Sequence, residues 1–154
     1  MNQAATNTNT SEREYLSFQL GDEQYAVEIL QVQEIRGWQP VTTIPNSPEY
    51  FCGVLNLRGA IIPIVDLRLR FGMPFLDYSK TTVVVVLKLK EANKIIGLVV
   101  DAVSDTHLVD QTMIQPVPEM GEMIDTNFFE GLVDIDGQMV MLINIDYLLD
   151  SEAV

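Results

Sequence analysis

FCGVLNLRGAIIPIVDL, residues Phe51–Leu67, aligns without gaps on FEGLVDIDGQMVMLINI, residues Phe129–Ile145, at a constant offset of 78. Phe51 meets Phe129, Gly53 meets Gly131 and Gly59 meets Gly137. Upstream, AVEILQVQE from Ala26 aligns on GLVVDAVSD from Gly97 at an offset of 71. The blocks keep their order, so the chain reads as two copies of one unit of about 70 to 80 residues. Within the second copy, Asp136-Gly137 separates two β-rich runs, the two-residue spacing and chemistry of a tight hairpin. Arg58 falls opposite Asp136 and is therefore expected at the first position of a turn completed by a glycine with positive φ. Aspartate suits that position, whereas arginine gains nothing from it conformationally. Its guanidinium is either an ordinary solvated turn residue or is kept for what it touches, a carboxylate, a backbone carbonyl or a partner protein.

Strand signals extend on both sides of the repeat. Leu16, Phe18 and Leu20 alternate with Tyr15, Ser17 and Gln19, the period of two of a half-buried strand, and GDEQ turns that run into Tyr25-Ala-Val. TTVVVVLKLK and KIIGLVVD flank EAN as a second hairpin rich in β-branched residues. Helical patterns are confined to short pieces near DLRLRF and IDYLL, too little for parallel crossovers. The expected fold is all-β, with two small lobes, paired barrels or a sandwich, related by duplication.

The 154 residues, 47% of them hydrophobic, suffice for a buried core. MNQAATNTNTSERE lacks the charged start and apolar core of a secretory signal, so residues 1–13 are expected to be a disordered tail and the protein cytoplasmic. The apolar runs are interrupted well short of the ~20 residues a membrane helix needs, which excludes direct membrane insertion by a helix. Cys52 has no partner for an internal disulfide and is read as a small core residue. Net charge is −13, unevenly spread: residues 1–94 hold all nine Lys and Arg against ten acids, and residues 95–154 hold twelve acids and no base. That excludes nucleic acid as a natural partner. It fits either a repulsive, solvated surface or a polarised molecule that orients its partners.

Reactive groups are scarce. The one histidine, His107, reads as a surface or packing residue, and Gly-rich phosphate loops, nucleophile elbows and Cys-x-x-Cys pairs are missing. Asp66 and Asp101 end apolar strands and are expected to cap a following turn or helix. No catalytic residue, metal site or cofactor is assigned. Met113, Met120 and Met123 lie in a stretch broken by prolines and flanked by acids, suited to contacting a partner or to packing beneath the loop.

Several separated blocks then agree in order with one family. LGDEQYAVEILQVQEIRG, GVLNLRGAIIPIVDLRLRFG, VVVVLKL with IIGLVVDAVSD, and FFEGLVDIDGQMVMLINIDYLL resemble the CheW-like domain, over roughly residues 13 to 151, with NLRG followed by PIVDLR the most diagnostic. The same domain type ends CheA kinases and begins CheV proteins, and this chain is most similar to the stand-alone coupling proteins. The resemblance implies two five-stranded β-barrels in a domain of residues 14–154, with approximate lobes 14–79 and 80–150 and strand exchange between them left open. It implies a non-catalytic adaptor that joins the cytoplasmic tips of chemoreceptors to the histidine kinase CheA in membrane-associated arrays, in the company of other CheW-like domains. Carried over residue by residue, the receptor-binding groove between the lobes comprises Val32, Glu34, Ile35, Arg58, Val83, Gly97 and Val103, with Glu34 and Arg58 expected to pair beside it. Contacts at a kinase or array edge comprise Gln115, Glu119 and Met120. A more basic residue is common at the Gln115 position, and the KEANK turn is longer than in close relatives. On residues alone, a β-barrel binding a small molecule and a carboxylate-dependent hydrolase are the rival classes, the first requiring a ligand-sized cavity inside a lobe.

Overall fold

The computed structural model describes residues 11–89, 94–119 and 125–150. Ten strands are present among them: β1 (Glu12–Leu20), β2 (Glu23–Glu28), β3 (Val32–Gly37), β4 (Phe51–Leu57), β5 (Ala60–Asp66), β6 (Val83–Lys88), β7 (Ile95–Val100), β8 (Ala102–Asp110), β9 (Phe129–Ile135) and β10 (Gln138–Ile143). Two short helices, α1 (Leu67–Arg70) and α2 (Ile145–Asp150), follow β5 and β10. β1 begins two residues earlier than the expected boundary, because Glu12 and Arg13 continue the ladder to Asp110 and Val109 of β8.

The strands form two five-stranded sheets, in the orders β8-β1-β2-β10-β9 and β3-β6-β7-β5-β4. The first carries both ends of the described chain and is called the terminal lobe; the second is the central lobe. If β1–β5 are one copy and β6–β10 the other, each order becomes the other when every strand is replaced by its counterpart. Each sheet therefore takes two strands from one copy and three from the other. Neither lobe corresponds to the contiguous segments 14–79 and 80–150. The registers carry the offsets through: Ile64 pairs with Gly97 across β5 and β7, and Leu142, 78 residues on, pairs with Ala26, 71 residues back, across β10 and β2.

Local backbone devices are duplicated with the strands. Arg58 and Asp136 both have φ of 53°, and Gly59 and Gly137 follow at 92° and 85°, the doubly left-handed turn that suits a tight hairpin. Gly59 N donates to Asn56 Oδ1 at 2.9 Å and Gly137 N donates to Asp134 Oδ1 at 2.8 Å, the same bond in each copy. Asp66 caps α1 by accepting from Leu69 N, and its counterpart Asn144 accepts from Tyr147 N at the start of α2. Bridges from Thr42 to Val54 and from Gln115 to Leu132 cover the outer edges of β4 and β9.

Three apolar clusters fill the molecule. One lies inside the central lobe around Leu57, Ile64, Val84, Val86 and Val99, and another inside the terminal lobe around Tyr15, Ala26, Val133 and Leu142. The largest fills the seam, with Leu16, Phe18 and Val27 from one lobe meeting Val85, Leu87 and Leu98 from the other. Strands between two clusters are buried on both faces. This explains the unbroken valines of β6 and corrects the half-buried reading of β1, in which Tyr15 and Ser17 are as enclosed as Leu16 and Phe18.

Candidate partner-binding surface

A bulge in β3 decides where the expected groove residues point. Val32 pairs with Leu87, the register then slips, and Glu34, Ile35, Arg36 and Gly37 pair with Val86, Val85, Val84 and Val83. Directly opposed residues in a ladder share a face. Leu87, Val85 and Val83 face the seam cluster, whereas Val86 and Val84 face the central-lobe interior. Gln33 is the extra residue, and its insertion brings Ile35 onto the seam face with Val32 and Val83 while sending Glu34 and Arg36 to the opposite face. A plain alternation would have put Val32 and Glu34 together. In the second copy the register slips at the matching place, where Ser17 Oγ donates to Asp105 O at 3.1 Å and accepts from Asp105 N at 3.2 Å. Val103 there is the counterpart of Val32 and packs against the same cluster.

The seven groove residues thus separate. Val32, Val83 and Val103 are half-buried at the margin of the seam, and Ile35 beside them is 45% exposed. The middle of the seam is filled by Phe18, Leu87 and Leu98, so the apolar surface is a rim along the junction rather than an open channel between the lobes. Gly97 is a correction: it is buried, and a Cβ on it would stand 2.6 Å from Ile64 Cδ1 and 2.8 Å from Val84 Cγ1. Its missing side chain makes room inside the central lobe and offers nothing at the surface.

Arg58 and Glu34 do meet, away from the seam. Arg58 Nη2 donates to Glu34 Oε1 at 2.6 Å, and Arg36 Nη1 donates to Glu34 Oε2 at 2.9 Å. β3 and β4 are opposite edges of a five-stranded sheet, which when flat would lie about 19 Å apart at ~4.8 Å per strand. An ion pair from β3 to the β4–β5 turn therefore requires the sheet to curl on itself. The hydrogen bond from Arg58, then that from Arg36, hold the Glu34 carboxyl below the ordinary glutamate range.

At the other end, Gln115 exchanges backbone hydrogen bonds of 2.8 and 2.9 Å with Leu132, leaving its side chain exposed, and Glu119 is exposed nearby in sequence. Met120 and Met123, and the turn residues 90–93, lie outside the described residues.

Two features have no strong local signal in the sequence. Arg68 on α1 donates from Nε to Asp101 Oδ1 at 2.9 Å and from Nη2 to Oδ2 at 3.0 Å. Asp101 Oδ2 also accepts from Gly21 N at 2.7 Å. Instead of capping a turn, Asp101 ties the point where the chain passes from β7 to β8 to both lobes. Tyr78 donates to the buried Asp66 Oδ2 at 2.7 Å and lies 3.6 Å from Cys52 Sγ. Burial pushes the Cys52 thiol up, which keeps it protonated and unreactive. Among the described residues no group of three or more His, Cys, Asp or Glu could hold a metal, and no helix is long and apolar enough to cross a membrane.

A doubled β architecture with filled lobes and an apolar rim along their junction defines a protein-binding module. Comparison with known proteins gives the family: residues 14–153 match the CheW-like domain, and the chain belongs to that family. It is 42% identical to a probable chemotaxis protein CheW of Rhizobium etli over 99% of both chains. It is 43% identical to the chemotaxis protein CheW of Klebsiella aerogenes over 91% of this chain and 83% of that one. The crystal structure of the scaffolding protein TtCheW from Thermoanaerobacter tengcongensis superimposes with a TM-score of 0.81 at 34% identity, covering 88% of this chain and 86% of that one. The chain is accordingly a scaffold of the chemotaxis class and not an enzyme.

Proposed function

We propose that this chain couples the cytoplasmic tips of chemoreceptors to the histidine kinase CheA, within membrane-associated arrays to which it is recruited from the cytoplasm. The receptor's helical tip lies along the apolar rim of Val32, Ile35, Val83 and Val103, a helix docking by an apolar stripe. The edge bearing Gln115 and Glu119 meets the kinase or another CheW-like domain. Glu34 and Arg58 pair on the face of the sheet turned away from that rim. Membership of the CheW-like family supports the adaptor reading. The observation that carries the receptor assignment is the slip at Gln33, which brings the exposed Ile35 onto the face of Val32 and Val83.

Pull-down with a receptor cytoplasmic fragment and CheA, scored by kinase activity, tests the reading. Ile35→Asp should lose receptor capture by tenfold or more, about the effect of a hot-spot residue, while keeping the native circular dichroism spectrum. A folded Ile35→Asp protein that captures receptor normally and sustains receptor-coupled kinase activity would remove the rim from the mechanism.

A further inference from the structure

Between the segment following β3 and the segment that joins the two copies lies a cleft of about 550 Å³ at one end of the central lobe, separate from the Val32–Ile35 rim. Trp38, Phe51, Phe75 and Tyr78 supply its aromatic walls, and Glu49 is the single residue lining it that carries a charge. Trp38 and Tyr78 pack with ring centroids 4.2 Å apart, and Phe75 sits edge-on to Tyr78 at 5.3 Å. The Tyr78 hydroxyl is committed to Asp66, so its ring is what remains for a ligand. Phe75 is 53% exposed, and Leu76 and Ile44, next in sequence to the lining residues Phe75 and Thr43, are also large exposed apolar residues. Phe75, Leu76 and Tyr78 belong to the link between copies, so the duplication does not account for them. An apolar patch of this kind marks a protein contact.

We propose that this cleft docks an arginine side chain presented by a protein partner. Aromatic faces attract a cation electrostatically, and a planar guanidinium stacks on them better than an ammonium does. Glu49 provides the carboxylate for a charge-assisted hydrogen bond at the rim. The flanking Phe75, Leu76 and Ile44 cover the apolar residues beside the arginine, which commits the source to a protein rather than to a free amino compound. A neutral aliphatic side chain would leave Glu49 partly desolvated and unpaired, which disfavours it.

Trp38 is the sole tryptophan, so its fluorescence reports on this cleft directly. Titration of the full chain with N-acetylarginine amide should give a saturable change, half-complete on the order of millimolar for so small a ligand. N-acetylnorleucine amide should not saturate in that range. Glu49→Gln, a change of an exposed side chain, should weaken the arginine response about threefold or more, and added salt should do the same. Phe75→Ala provides a second variant at an exposed position and should also weaken it. Equal saturation by the neutral amide, an unchanged response in Glu49→Gln, or no saturation by the arginine amide at tens of millimolar would overturn the assignment.

Discussion

Where the central lobe pairs Arg58 with Glu34, the terminal lobe has Asp136 and Asp105 at the matching positions. The crossovers between lobes differ in the same way. Asp101, between β7 and β8, is clasped by Arg68, whereas Leu30 holds its place between β2 and β3 and is 89% exposed, with Asp146 opposite Arg68 in the alignment. Because the strands are exchanged, charge is also divided. Residues 11–28, 102–119 and 125–150 carry one arginine against fourteen carboxylates, and residues 29–89 and 94–101 carry seven Lys and Arg against five. Turns, caps, bulges and edge bridges are common to both copies, and ionic side chains are not. The backbone devices make the fold, so both copies need them. The side chains that differ are free to give one lobe a chemistry the other lacks, and polarised surfaces orient encounters between partners.

The glycines that admit the edge bridges test how far the two copies share a mechanism. Gly53 has φ of 145°, and a Cβ on it would lie 2.2 Å from the Thr42 carbonyl oxygen. At Gly131 the nearest atoms are Ile114 Cγ2 at 2.5 Å and the Gln115 oxygen at 2.7 Å, with no left-handed φ. Gly53→Ala combines strain with a clash against backbone and should cost about 3–5 kcal/mol, the largest effect expected in this comparison. Gly131→Ala, which also meets the Gln115 backbone oxygen but without left-handed strain, should cost about 2–3 kcal/mol. Urea denaturation measures both, and equal losses would show that the two bridges are interchangeable.

The clasp should come next. Arg68 and Asp101 side chains are 14% and 21% exposed, and Asp101 also holds the Gly21 amide. Asp101→Ala leaves a poorly solvated guanidinium and a lost backbone bond, for a loss of about 2–3 kcal/mol once partial exposure is allowed for. Leu30→Ala at the matching crossover should change stability by less than about 0.5 kcal/mol, as exposed substitutions usually do. A comparable loss at both would mean that the crossovers are held by the seam cluster and not by the ion pair.

The parts of this molecule that were legible in the sequence are those whose chemistry is local. A glycine after Arg58 or Asp136 announces a left-handed turn, Asp66 announces a helix start, and the offsets of 78 and 71 carry the register. Strand exchange is not local: an alignment of two like copies is indifferent to whether β3 pairs within its own copy or with β6. The slip at Gln33 is equally silent, since one inserted residue reverses the side-chain phase without altering composition, and plain alternation would have placed Ile35 on the face opposite Val32. Arg68 and Asp101, 33 residues apart, had no pattern to join them, and Gly97 reads as surface or core alike until Ile64 and Val84 are seen against it.

Arg58 offers the finest separation of fold from ionic chemistry. Its φ of 53° suits asparagine better than arginine, so Arg58→Asn should leave Tm within about 2 °C of the parent, or slightly above it, while the ion pair is lost. Glu34 reports that loss. Its folded pKa lies below its unfolded one, so the stabilisation is present above the unfolded value and disappears as pH falls through the folded value. Arg58→Asn removes the larger cause and leaves Arg36, so a carboxyl-resolved NMR titration should show Glu34 moving up toward the ordinary range without reaching it. High salt should narrow the gap between the two proteins, because the pair is exposed. A Tm lowered by more than about 5 °C would instead make the Arg58–Glu34 contact a structural tie across the curled sheet, and an unmoved Glu34 titration would shift the ionic role to Arg36 alone.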